Sequence, residues 1–315
     1  MIRAWRAWVA LWDRREPATA LAAVRIAIAV VLLYDYGVAW RLDLIEPLWA
    51  QPPAGYAIGG DDGWAAAWLG TGAGSAFALW AAAVIALVAV ATGTLTRVAC
   101  VVVVLVSAQL ADRAPDADRG IDGLIRIVLC VLALSRSHAV WSVDAWVCRR
   151  LGRPMAEEVP AWPRYLLFAQ LVWVYFSGGH NKTGEEWGPE GGFTALANAL
   201  ADPHFARFSP GWVGAIYPLT RVATAGTMLF ELGAPLLLLV TYYAATAGRP
   251  GRLRRWCNRL RLRWIWISLG VMFHVGIALT LRLGIFPAAM LALYPVLLFP
   301  DEVARLRARL ARRRA

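Results

Sequence analysis

Residues 176–192 read FSGGHNKTGEEWGPEGG. An apolar run, Pro163–Gly178, gives way here to a loop rich in glycine and charge. The stretch holds Lys182, the only lysine of the chain; apart from the histidines, every other basic residue is arginine. What kind of run ends here decides the fold. Why one lysine stands where arginine serves everywhere else bears on function.

Composition answers the first question. The 315 residues are 59% hydrophobic and 17% charged, with a mean hydropathy of +0.52. Soluble domains carry roughly 25% charged residues, so the chain falls in the membrane class. Its 17 tryptophans fit, because indole rings settle at the lipid–water boundary. The net charge of +11 does not imply nucleic acid, since the arginines sit in links between apolar runs rather than on one folded face. Cys100, Cys130, Cys148 and Cys257 have no metal-ligand spacing, so neither a disulfide framework nor a metal site is expected. The N-terminus lacks a signal-peptide core and cleavage pattern.

A span needs about 20 mostly apolar residues. Eight runs qualify as candidates: Thr19–Trp40, Ser75–Gly93, Arg97–Leu110, Ile121–Ser137, Pro163–Gly178, Arg221–Ala245, Trp264–Leu281 and Leu283–Phe299. The third is short, and a tight Arg282–Gly284 turn joins the last two, as a hairpin or as one broken helix with a re-entrant segment. The expected fold is an all-α polytopic membrane protein of about eight helices with two long outer loops, Arg41–Gly74 and Gly179–Thr220. With both ends cytoplasmic, most of the 32 lysines and arginines fall in inner links and tail, as the positive-inside rule requires. Around the spanning domain, residues 18–300, stand an interfacial helix at 1–17, where Trp5, Trp8 and Trp12 recur among arginines, and a basic tail at 301–315. The expected location is a bacterial inner membrane, with the lipid bilayer as the first partner.

Ionisable groups within spans need a partner or a role. Here they are Arg25, Asp35, Asp122, Arg126, Glu231 and His274, with Gln170 as a neutral companion. Asp122 and Arg126 share a helix face at i, i+4 and can pair directly. Asp35 lies at a similar depth, so Asp35, Asp122 and Arg126 can form one buried network close to the outer surface, and Arg25, Asp122 and Arg126 read as structural ion pairs. Glu231 and His274 each lie ten residues into a span, roughly 15 Å deep, where they can meet. A carboxylate facing an imidazole suits proton transfer or ligand binding as well as packing.

Lys182 sits where the fifth run meets the outer loop, followed by Glu185, Glu186 and Trp187 and preceded by His180. A lysine at such a rim can act as a base, which arginine cannot. It can equally anchor the helix end to headgroups, although arginine serves that role elsewhere in this chain.

YFSGGHNKTGEEWGPEGGFTAL, Tyr175–Leu196, resembles the signature of the HTTM superfamily, the horizontally transferred transmembrane domain. An aromatic span ends in small residues, then come the lysine, the tryptophan five positions on (Trp187) and a glycine-rich turn (Gly191–Gly192). FELGAP (Glu231, Pro235), the run with His274, RIAIAVVLLYDY (Arg25, Asp35) and IDGLIR (Asp122, Arg126) are similar to further HTTM positions over about Leu21–Pro300. HTTM forms the membrane part of vitamin K-dependent gamma-carboxylases. The resemblance implies that Lys182 is the base acting on a reduced quinone (vitamin K or menaquinol). It gives His180, Glu231 and His274 catalytic support, and Trp187, Tyr175, Gln170 and Asp35 substrate contacts. The loop reads HNKTGEE rather than the paired lysines of true carboxylases. The chain ends soon after the last run, so the resemblance also implies a stand-alone member or a separate substrate-binding subunit.

Three functions compete. One is a quinol-dependent, carboxylase- or epoxidase-like enzyme with an outward-facing site at Lys182. The second is a non-catalytic factor for maturation or export of a secreted peptide, reading it with loop aromatics such as Trp64, Trp68, Trp187 and Trp212. The third is a proton-coupled transporter using Glu231 and His274.

Overall fold

The computed structural model describes residues 5–6, 9–10, 12–59, 63–303 and 305. The described residues form mostly helices joined by loops, with one pair of three-residue strands. It divides into two compact units, residues 1–167 with 292–315 and residues 168–291.

The first unit is built on α1 (Thr19–Arg41), with α2 (Ile45–Trp49) and α3 (Trp64–Leu69) in the following loop, then α4 (Ala73–Thr92), α5 (Thr96–Arg113), α6 (Gly120–Leu134) and α7 (Val143–Arg150). Helix α1 packs on α4 and α6, α4 on α5, and α5 on α6. The buried residues of α1 recur every three to four positions, Leu21, Val24, Arg25, Ile28, Leu32, Tyr36 and Ala39, as one inward stripe. On α4, Ala76, Ala83 and Ala86 keep the buried face small, so neighbouring backbones approach closely. The opposite faces leave Val30, Ile85, Val98 and Leu105 exposed. An apolar exterior around a packed interior is the pattern of helices that face lipid.

Buried charge satisfies helix ends in this unit. Arg25, fully buried, donates to the carbonyls of Val90 and Trp141, each at 2.6 Å, and of Ala91 at 3.1 Å. A guanidinium thus serves the carbonyl end of α4, where the dipole favours a cation. Gly93, at φ 73°, closes that helix. Nearby, Asp144 accepts from the backbone N–H groups of Leu95 (2.9 Å) and Thr96 (3.2 Å) at the start of α5. The expected ion pairing of Arg25 is therefore corrected: its bonds run to carbonyls, which in an apolar core need a donor as much as a carboxylate does.

The strands β1 (Arg15–Pro17) and β2 (Glu158–Pro160) pair antiparallel. Beside them the buried Glu16 chelates Arg164 at 2.5 and 2.8 Å, and Arg164 also donates to the carbonyl of Val296. The interfacial helix expected at 1–17 lies partly outside the described residues, and its end, Arg15–Pro17, is strand. The basic tail at 301–315 lies mostly outside them.

The unit boundary falls within α8 (Trp162–His180). The second unit continues with α9 (Ala195–Ala201), α10 (Tyr217–Leu232), α11 (Pro235–Ala245), α12 (Arg252–Arg259), α13 (Leu262–Thr280) and α14 (Phe286–Ala292). Leu281 and Arg282 hydrogen-bond back to the loop before α10, through Arg282 N–H to the Phe205 carbonyl (2.7 Å) and the Ala206–Leu281 bridge. Ala197, Leu200, Val213 and Leu281 pack around that joint.

Among the described residues, three helices are long and apolar enough to cross a membrane: Thr19–Arg41, Ala73–Thr92 and Leu262–Thr280. The run expected at Arg221–Ala245 is not one straight helix. It bends by 64° between Pro210–Leu232 and Pro235–Ala245, and makes a fourth candidate only if the bent pair is one span. Proline 235 supplies no amide hydrogen, so the helical ladder cannot run through it. The last expected run is a shorter apolar stretch, Phe286–Leu297, whose end is a 3-10 turn at Tyr294–Leu297. The remaining expected runs are helical but shorter, more charged or less apolar.

Candidate functional site

Lys182 stands two residues past α8. The chain turns there with the Lys182 amide hydrogen on the Gly179 carbonyl, at 3.3 Å. This aims the side chain back along the helix. Its ammonium donates to the Gly178 carbonyl at 3.3 Å and to Glu231 Oε2 at 2.5 Å, and lies 5.0 Å from the centre of the Trp187 ring. Charge, hydrogen bond and ring quadrupole all act on one cation. The lysine side chain is 22% exposed and that of Glu231 8%. A charged pair so shielded from water interacts strongly.

Two local features bring these groups together. A Cβ at residue 179 would lie 2.9 Å from Glu231 Cβ and 3.1 Å from the Leu232 amide nitrogen, so α8 and α10 approach closely only because the residue is glycine. On the other side, the 3-10 turn Glu185–Trp187 packs on α10 and presents the indole. The glycine-rich turn after it folds back on itself. The amide hydrogens of Gly188 and Gly191 both reach the Glu185 carbonyl, and Arg221 of α10 donates to the Gly192 carbonyl at 2.6 Å.

A second pair lies deeper on α8. Tyr175 Oη and His274 Nε2 are 2.6 Å apart, both buried. Phe230 meets Tyr175 edge-on with centroids 5.0 Å apart and stacks on Trp266 at 4.4 Å, while Phe273 and Phe286 pack against His274. Aromatic rings therefore enclose the phenol–imidazole pair. Glu231 follows Phe230 directly, but the expected meeting of Glu231 with His274 does not occur: the carboxylate's partner is Lys182. Equal counts along two runs do not bring two side chains together, because helices also place residues by azimuth.

His180 is exposed and stacks on Phe176 rather than joining the lysine pair. Gln170 is half-buried on α8. Asp35 belongs to the first unit and pairs there with Arg119, at 2.6 Å. Arg119 also chelates Asp122 through Nε (2.8 Å) and Nη2 (2.9 Å), and Arg126 chelates Asp118 at 2.6 and 2.9 Å. The direct Asp122–Arg126 pair expected from i, i+4 spacing is thus replaced. Asp122 is drawn to the start of its own helix, where it also accepts the Arg119 backbone N–H at 2.9 Å. Burial disfavours the Arg119 charge, but the bonds to Asp122 and Asp35 outweigh it and hold the guanidinium above its ordinary pKa. These groups border a cavity of about 270 Å³ whose other walls include Leu32, Tyr36 and Leu110.

A larger cavity of about 480 Å³ opens in the second unit between α10 and α13, lined by residues such as Leu219, Ala223, Phe230, Phe273 and Ile277. Its threonine hydroxyls are spent on their own helices: Thr220 on the Tyr217 carbonyl, Thr227 on that of Ala223, Thr280 on that of Gly276. Gly226 and Gly276 line it with open space where a side chain would stand. The cavity accepts hydrocarbon rather than a polar ligand. Its end at Phe230 adjoins Tyr175 and precedes Glu231.

Among the described residues, no cluster of three or more histidine, cysteine or carboxylate side chains is placed to hold a metal ion. No curated protein and no solved structure matches the chain. The HTTM domain profile matches residues 13–247, which include the Lys182–Glu231 pair, Trp187 and the bend at Pro235 but stop short of His274. The chain belongs to the HTTM domain family, and its helices apolar enough to cross a bilayer make it a membrane protein.

Proposed function

We propose that the protein is a multi-pass enzyme of about eight membrane passes with both ends cytoplasmic. Its Lys182–Glu231 pair removes a proton from a reduced membrane quinone. The observation that carries this reading is the lone lysine held by a single buried carboxylate at 2.5 Å. The pair holds one mobile proton. Passing it from ammonium to carboxylate leaves a neutral amine and a neutral acid, so no net charge is created in a poorly hydrated site. The amine then accepts a proton from the quinol hydroxyl, and the ammonium stabilises the resulting oxyanion. Arginine cannot take the amine's part, because it does not deprotonate. The apolar cavity ending at Phe230 supplies room for the quinone's hydrocarbon chain, and Tyr175 with His274 supplies polar groups within a dry aromatic wall.

The test is direct. Wild type and Lys182→Arg are reconstituted in lipid with reduced vitamin K or menaquinone and oxygen, and quinone epoxide is followed by mass spectrometry. Epoxide from the wild type alone supports the lysine as base. Equal product from both ends that role.

A second reading is favoured by one observation. Trp64, Trp68 and Trp212 are exposed on the links before α4 and α10, with Phe205 and Phe208 nearby in sequence to the last. Exposed loop aromatics suit capture of a secreted peptide or a substrate-binding subunit. That role predicts tolerance of Lys182→Arg and sensitivity to loss of Trp68. The transporter reading drew on a Glu231–His274 relay, and Glu231 is paired with Lys182 instead.

A further inference from the structure

The link between α11 and α13 contains six arginines between positions 249 and 261, and the chain has no aspartate or glutamate from residue 232 to residue 300. Nothing nearby in sequence offsets this charge. The link folds as α12, which is fixed to its unit along one face. Cys257 is buried, Asn258 Nδ2 donates to the Tyr243 carbonyl at 2.9 Å, and the Arg254 guanidinium packs 5.2 Å from the Tyr243 ring centre. The other face is fully outward. Arg252, Arg255, Trp256 and Arg259 follow one another at i, i+3, i+4 and i+7, one helical stripe, and all four are exposed. Trp256 is 54% exposed among the arginines, and Leu253 beside the stripe 53%.

A stripe bound for water has no use for an exposed tryptophan and leucine. A stripe bound for an acidic soluble protein would not sit between two apolar helices that run into the membrane. At the bilayer surface both features find partners, the indole at the glycerol level and the guanidiniums at phosphate oxygens, which they bind in bidentate fashion.

We infer that the outward face of α12 is a binding site for anionic phospholipid headgroups, with Arg252, Arg255 and Arg259 as the phosphate-binding residues and Trp256 as the interfacial anchor. The site is separate from the Lys182 pair and independent of the quinol reading. Its ligand is a lipid of the protein's own leaflet, selected by charge.

The full-length protein in mild detergent is equilibrated with equal amounts of phosphatidylglycerol and phosphatidylcholine, and bound lipid is counted by native mass spectrometry. Wild type is expected to retain phosphatidylglycerol preferentially, and R252Q/R255Q/R259Q to lose about a hundredfold of that preference. The triple lysine variant, which keeps charge, should retain a preference that weakens with added salt. The proposal is overturned by no preference in the wild type, by an unchanged preference in the glutamine variant, or by a salt-independent one in the lysine variant. Displacement by inorganic phosphate at equal concentration, or binding of polyglutamate without lipid preference, overturns it too. Should the glutamine variant not fold, the lysine variant and its salt response decide the matter.

Discussion

Lys182 Nζ lies 2.5 Å from Glu231 Oε2, with the lysine two residues past the end of α8 and the carboxylate on α10, and the two helices approach closely at Gly179. The single lysine of the chain is therefore one half of a matched pair. Removing one half leaves a shielded charge without its counter-ion, a loss of about 3–5 kcal/mol. Lys182→Met is expected to lower the thermal unfolding temperature in detergent sharply, and Lys182→Met with Glu231→Gln to recover much of the loss. A double variant no more stable than Lys182→Met would show that the two groups are not coupled.

Gly179→Ala adds one methyl where Glu231 Cβ and the Leu232 backbone already stand. Helices α8 and α10 must separate by a few tenths of an ångström, at a cost of about 1–3 kcal/mol. The carboxylate moves with α10, so the variant should lose activity beyond its loss of stability. Gly178→Ala, whose added methyl would meet Glu231 Oε1 and Lys182 Nζ at an ordinary 3.8 Å, serves as the control. Equal effects of the two alanines on melting and turnover would contradict the close approach.

Much of the helical fold was legible, and the reasons are local. Uninterrupted runs of Ala, Val and Leu such as Ala73–Thr92 have no other way to satisfy their backbone in lipid. Partners were harder to read. Arg119 lies in the charged link ADRAPDADRG, outside every apolar run, yet it is the cation that joins Asp35 to Asp122. No spacing rule reaches across 84 positions from Asp35. The bend at Pro235 did carry a visible signal, the sequence GAP within an apolar run, but composition alone reads through it. Tyr175 was singled out for substrate contact, while its bond to His274 depends on how α8 and α13 face one another, which one-dimensional periodicity does not encode.

The rearranged acid–arginine network gives a sharp test. Spacing couples Asp122 to Arg126, whereas the structure couples Asp122 to Arg119. Double-mutant cycles on thermal stability should give about 0.5–3 kcal/mol of interaction for Asp122→Asn with Arg119→Gln. The cycle of Asp122→Asn with Arg126→Gln should lie well below that. The side chain of Arg119 is 39% exposed, so its value is expected toward the lower end of the range. A larger coupling to Arg126 would return the network to the i, i+4 arrangement.

The apolar cavity between α10 and α13 makes a final demand on the quinol reading. Gly226 and Gly276 line it, and a Cβ added at either meets nothing within 4 Å, so Gly226→Phe is the substitution expected to fill the cavity. The substitution leaves Lys182, Glu231 and Trp187 unchanged. If the cavity seats the hydrocarbon chain of the substrate, Gly226→Phe should raise KM for long-chain quinols at least tenfold. A short-chain or chainless quinol should be spared, because only the chain is displaced. Equal losses for both substrates would place the added ring in the way of chemistry rather than of the chain. Equal retention of both would leave the cavity without a part in substrate binding, and the chain would have to lie elsewhere in the bilayer.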